Sequence, residues 1–296
     1  MEKEKSVIDR GFGREAFGAD PAGYHAIRPN YPGWVYEVLR ERCGCGPGMA
    51  VFEVGAGTGI ATRGLLDLGV DSLVAVEPDQ RLAQFLRERN PDGALRVVVS
   101  PFEDVELKED VELKEDVELK EDVELKEDVE LKEDSYGLGV CATAFHWLKE
   151  DEALAKVVRL LRPGGWWAMV WNVFGEPGRV DAFHEATKEL VGGGPHSPSR
   201  GSGDLPFALD TAARLSALDR NGAFDVVEYR SDSWELVLSP AEVAALYATY
   251  SNINILPDRE AVLAGLEHIA RTKFNGRVTR NMVTILYIAR RKFNNL

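Results

Sequence analysis

The stretch Val51-Phe-Glu-Val-Gly-Ala-Gly-Thr-Gly59 decides the fold. With Ala50 it predicts a short apolar strand over Ala50–Val54, then a turn in which glycines at alternate positions let the backbone pass close to a ligand. Ile60–Leu68 continues as a helix. Further along, strands are expected at Leu73–Val76, Leu95–Val99, Gly137–Thr143 and Trp166–Trp171, with helices at Asp79–Arg89 and Glu152–Leu161 between them. Arg162-Pro-Gly-Gly165 supplies the stop before the fifth strand. Strand and helix in regular alternation imply an α/β, Rossmann-like parallel sheet with helices on both faces. A helix near Val180–Leu190, a Gly/Ser/Pro-rich loop at Gly192–Gly203 and a helix at Leu209–Leu218 follow. A strand at Asp225–Leu238, a helical stretch at Ala241–Lys273 and a last strand at Met282–Ala289 complete the chain. The expected division is an N-terminal lid segment (1–48), a ligand-binding core (49–172) and a helical elaboration with the last two strands (173–296).

Residues 105–134 are five identical copies of Val-Glu-Leu-Lys-Glu-Asp. Each copy nets −2, so the block carries −10 of the formal charge of −14, and the rest of the chain only −4. The acidic balance therefore describes one insertion; it argues against binding the phosphate backbone of nucleic acid and says little about a substrate. Without Gly or Pro, the block is expected to be a mostly solvated helix, in which a six-residue period turns the valines by 240° per copy and leaves no apolar stripe. Strand is the competing reading, since Val, Leu and Glu share parity. A homo-oligomer built through the repeat is a further expectation. Thirty helical residues would span about 45 Å, too long for one crossing, so a break in the helix, local disorder or a domain swap is expected there. No apolar run reaches the roughly 18 residues of a membrane span, and MEKEKSVIDR does not read as a secretory signal. Cys43, Cys45 and Cys141 make no disulfide framework, which points to the cytoplasm.

Two ligands compete for the glycine turn. A nicotinamide dinucleotide wants Gly-x-Gly-x-x-Gly under its pyrophosphate; here the glycines are Gly55, Gly57 and Gly59, and Ile60 stands at the last position. Glu53, two residues before the first glycine, would repel a pyrophosphate but can pair with an ammonium group. That favours S-adenosylmethionine, which has an amino-acid tail and a sulfonium. Glu77, at the end of the next strand, is placed to accept hydrogen bonds from ribose hydroxyls.

These residues resemble the class I S-adenosylmethionine-dependent methyltransferases: Glu53-Val-Gly-Ala-Gly-Thr-Gly59 is similar to their first motif, Glu77 to their ribose-binding acid, and Leu161-Arg-Pro-Gly-Gly165 to their turn before the fifth strand. Tyr24-His-Ala-Ile-Arg-Pro-Asn-Tyr-Pro32, Phe145-His-Trp147 and the tail from Thr249-Tyr-Ser251 through Leu256-Pro257 to Thr284–Arg290 resemble the type 11, trans-aconitate methyltransferase-like branch. The resemblance implies a seven-stranded sheet and S-adenosylmethionine as cofactor. It also implies one linker of about six residues where this chain has thirty, so four copies are surplus. The expected cofactor-binding residues are Tyr24, Arg28, Glu53, Gly55, Ala56, Gly57, Thr58, Gly59, Glu77, Pro78, Phe102, Glu103, Thr143 and Ala144. Tyr24 and Arg28 read as a lid or as a rigid packing segment, and Phe102 and Glu103 as the adenine contact. His146 is the candidate catalytic base, or a pocket wall; Trp147, Asn172 and Tyr250 are expected at the substrate. His25, His184, His196 and His268 show no metal-ligand spacing. The expected activity is methyl transfer to a small organic molecule at a carboxylate or hydroxyl oxygen. The alternatives are a silent cofactor-binding protein whose repeat serves assembly, and a nicotinamide-dependent oxidoreductase.

Overall fold

The strand that opens the motif is buried on both faces, as a continuous apolar run requires in a parallel sheet covered by helices. The computed structural model describes residues 7–9, 11, 16–91, 93–108, 130–201, 203 and 205–293. Nine strands occur among them: β1 (Ala50–Val54), β2 (Ser72–Val76), β3 (Leu95–Val98), β4 (Glu106–Lys108), β5 (Glu130–Lys132), β6 (Tyr136–Ala142), β7 (Leu161–Phe174), β8 (Phe224–Leu238) and β9 (Val278–Arg291). Seven of the described strands form one sheet in the order β3-β2-β1-β6-β7-β9-β8. The first five of these run parallel, and β9 lies antiparallel between β7 and β8. The order reverses between β1 and β6, and ligands of open α/β sheets lie beyond the strand ends at such a point.

Side chains alternate across the sheet. Phe52 enters a core with Phe145, Leu154 and Trp167, and Val51 enters the opposite one with Val35, Leu39 and Leu138. A third cluster, around Phe183, Leu246 and Leu266, packs the C-terminal helices against the far end of the sheet. There Arg280 Nε donates to Asp181 at 2.7 Å and its Nη1 to the Tyr247 hydroxyl at 2.8 Å, a buried ion pair whose hydrogen bonds offset its desolvation.

The helix expected for the repeat does not hold at its two ends, which are strand. Glu106, Leu107 and Lys108 pair in parallel with Glu130, Leu131 and Lys132, four copies further on. Strand parity explains it: Val105 and Leu131 are both buried in one core while Glu106 and Lys108 face outward, whereas a helix would spread the apolar residues around its axis. Lys156 Nζ fastens the entry by donating to the carbonyls of Phe102, Glu103 and Val105 at 2.8, 2.7 and 2.6 Å. The helix reading for the middle of the block falls on 109–129, outside the described residues. The chain departs and returns on neighbouring strands, and β6 then pairs with β1 of the same chain.

Candidate active site

The end of β1 sets the site. Alternation puts Glu53 on the face of Val51, and it is fully buried. Its Oε2 accepts a 2.6 Å hydrogen bond from Thr62 Oγ1, on the helix Ile60–Asp67 (α1 of the core). Its Oε1 is buried without a partner. Burial pushes the Glu53 carboxyl up to about 8; the Thr62 hydroxyl opposes this, and the nearby Glu77 charge adds to it. Glu77 follows β2 and is handled differently: Oε2 accepts from the Gly57 amide at 2.8 Å and Oε1 from the Asp79 amide at 2.9 Å. This carboxylate clamps the glycine turn.

Gly57 has φ 58°, and a Cβ there would meet nothing within 4 Å, so the turn leaves open space above it. Gly59 serves packing instead: a Cβ would stand 2.4 Å from Leu86 Cδ1, where α1 meets the helix Gln80–Arg89. It thus lets two helices pack closely and lies outside the cavity wall. That cavity, about 900 Å³ and open to solvent, is lined by Tyr24, Glu53, Gly55, Ala56, Gly57, Thr58, Glu77, Pro78, Phe102, Thr143, Ala144 and Trp147 from the expected set. Phe17, Tyr31 and Leu148 were not foreseen there. Among the described residues, no Lys, Arg or His lines it.

Two further expectations need correction. Glu103 does not reach the cavity, because the short turn Phe102–Asp104 turns Phe102 inward and leaves Glu103 exposed. Arg28 lines a second cavity, of about 1140 Å³, which shares Phe17, Tyr24, Thr143 and Trp147 with the first. Tyr24 and Arg28 are four apart around the helix Pro21–Ile27, and Pro29 ends that helix, so the guanidinium folds back over the Tyr24 ring at 5.0 Å. The Tyr250 ring covers its other side at 4.8 Å. Arg28 Nη2 donates to the Thr249 carbonyl at 3.0 Å, while Arg28 Nε and the Tyr250 hydroxyl are buried without partners. Arg200, His146 and His196 also line this cavity, and among the described residues no Asp or Glu does.

His146 does not suit the role of catalytic base. Burial, and then the Arg28 charge, hold its pKa down at about 3, and its Nδ1 accepts from Trp171 Nε1 at 3.2 Å. A ring that resists protonation this strongly is a weak base near neutral pH. Asn172 lines the second cavity, yet its amide groups bind protein: Nδ2 donates to the Pro29 and Asn30 carbonyls at 3.3 Å each, and Oδ1 accepts from Thr284 Oγ1 at 2.6 Å. It fastens the N-terminal segment to β7. Tyr31 does the same at β6, where its hydroxyl is 2.6 Å from Thr143 Oγ1. His25 Nδ1 meets Thr58 Oγ1 at 3.1 Å over the glycine turn. Thr143 is a β-branched residue at φ 55°, in the left-handed region, at the seam between the cavities.

The first cavity fits S-adenosylmethionine on its own chemistry. An unpartnered buried acid, a second acid at the glycine turn and the absence of cations among the described lining residues suit a positively charged nucleoside and oppose a diphosphate.

Residues 52–169 match the Methyltransf_11 family model, a methyltransferase domain. An uncharacterised methyltransferase of Schizosaccharomyces pombe is 23% identical over 92% of this chain and 95% of its own length. One from Mycobacterium tuberculosis is 27% identical over 77% and 80%. Among solved structures, a Haemonchus contortus phosphoethanolamine N-methyltransferase, in complex with phosphomonomethylethanolamine and S-adenosylhomocysteine, aligns with a TM-score of 0.53 at 12% identity, over 97% of this chain and 60% of that one; it shares the fold. The matched domain contains the strands, the glycine turn and the two acids of the first cavity, and the protein is a methyltransferase with S-adenosylmethionine as its cofactor.

Proposed function

We propose that the acceptor is a small organic acid, methylated at a carboxylate oxygen. The observation that carries this reading is the change of charge between adjoining cavities: among the described residues, two acids and no cation line the first, and two arginines and two histidines but no acid line the second. S-adenosylmethionine supplies a methyl group on a positively charged sulfur, which keeps the C–S electron pair when an oxygen lone pair takes the methyl. A carboxylate is already ionised and needs no base, which agrees with the depressed basicity of His146. The chain's own task is then alignment and exclusion of water. Arg28, held between two aromatic rings with Nε unpartnered, offers an acid a charge-assisted contact. Glu53 and Glu77 would hold the cofactor's cationic and ribose ends, and Trp147 walls both cavities.

The test is release of S-adenosylhomocysteine on a panel of aliphatic and aromatic carboxylic acids, each beside its primary amide and the matching alcohol or phenol. Turnover confined to acids is expected. Turnover of alcohols or phenols alone would reject the carboxylate and reinstate a hydroxyl acceptor. A thermal-shift titration with S-adenosylmethionine, S-adenosylhomocysteine and NAD accompanies it, because a ligand that binds the native state raises its stability.

A further inference from the structure

We propose that Trp171 is a positioning residue that fixes His146 as an Nε2–H donor toward the acceptor cavity. An indole N–H can only donate. With Trp171 Nε1 at 3.2 Å from His146 Nδ1, that nitrogen is the acceptor, and the proton of the neutral ring resides on Nε2. Both rings are buried and both line the second cavity. Neither turns freely: His146 packs against Trp147 and Phe207, with centroids 5.4 and 6.2 Å away, and Trp171 against Phe207 and Tyr287 at 5.9 and 6.2 Å.

The titratable groups around the same cavity are Arg28 and Tyr24 on the N-terminal segment, His196 and Arg200 on the loop before Phe207, and Tyr250 on the C-terminal side. None of these described groups is a carboxylate, and the Trp171 indole occupies the lone pair that a second proton would need. His146 therefore offers a hydrogen and no lone pair. Resting on the acid-acceptor reading above, its part in the reaction is to hold one carboxylate oxygen while the other takes the methyl group, with no proton transferred.

Nitrogen-15 spectra of the full chain labelled at histidine and tryptophan, without ligand, test this directly. His146 signals are assigned by their loss in His146→Gln. Between pH 5 and 8 the wild type should show an unprotonated Nδ1 and a protonated Nε2, with a nitrogen–nitrogen coupling across the hydrogen bond to Trp171 Nε1. In Trp171→Phe the ring should become a mixture of tautomers and titrate closer to neutrality. A protonated Nδ1 or an imidazolium at pH 7, or no coupling to Trp171, overturns the proposal. So does an unchanged tautomer in folded Trp171→Phe. Should that variant not fold, the wild-type coupling and tautomer decide alone. No acceptor is present in these spectra, so a negative result leaves the acid panel to judge the acceptor independently.

Discussion

The two cavities share four wall residues and differ in almost everything electrostatic. One is acidic and built from the ends of β1 and β2; the other is basic and built from loops, the N-terminal segment and the C-terminal helices. On the proposed acid-acceptor reading, two reactants of opposite charge would be kept apart before any chemistry begins. Each half would then exclude the other's ligand by leaving it beside like charge in a poorly solvated space.

The largest effect should come from removing the acidic half's unpartnered charge. Glu53→Gln is expected to weaken S-adenosylhomocysteine binding by about 10- to 100-fold by calorimetry, the range for a hydrogen bond to a charged group. The unliganded protein should become no less stable at pH 8, because a buried carboxylate has gone. Equal affinity in the variant would dissolve the contrast between the cavities.

A pH series sharpens the same point. The Glu53 carboxyl is raised to about 8, so the unliganded fold binds an extra proton above the ordinary carboxylate range. Its contribution to stability is greatest below that range and is lost as pH rises toward 8. A cationic ligand favours the ionised form, so affinity should climb by up to about tenfold per pH unit below 8 and then level off. Calorimetry in two buffers of different ionisation enthalpy should show a proton released on binding, and Glu53→Gln should show none.

On the basic side, Arg28→Gln is expected to raise the KM for a methylated acid about tenfold, with the cofactor product's affinity changed less than about threefold. Similar losses in both would mean that Arg28 acts on the cofactor cavity as well. The smallest effect belongs to deletion of residues 106–129, which restores one hexapeptide. Affinity should stay within about twofold, and the melting temperature should hold or rise, since closing a loop of that length costs on the order of 2–3 kcal/mol. A misfolded product would show the pairing of β4 with β5 to be integral to the fold.

The acidic cavity was largely legible in the sequence because its parts are local. Glu53, the glycine turn and Glu77 lie on two successive strands whose ends must be neighbours. The basic cavity was not, since Arg200 and His196 reach it from a loop that no periodicity predicts. Arg28 was visible in its motif, but its stack between Tyr24 and Tyr250 joins positions more than two hundred residues apart. His146 could be placed at a strand end, while the indole that governs it comes from the adjoining strand. At the two ends of the repeat, local helix propensity lost to a pairing between copies 24 residues apart.

Thr143 has one more consequence. A threonine in the left-handed region stores on the order of 1 kcal/mol or more of backbone strain, and glycine would relieve it. A stabilisation campaign scored on thermal tolerance alone would choose glycine at this seam, discarding the hydroxyl that ties Tyr31 to β6. Sturdier variants found that way would be blunter enzymes, and this one position is where engineers should decline the gain.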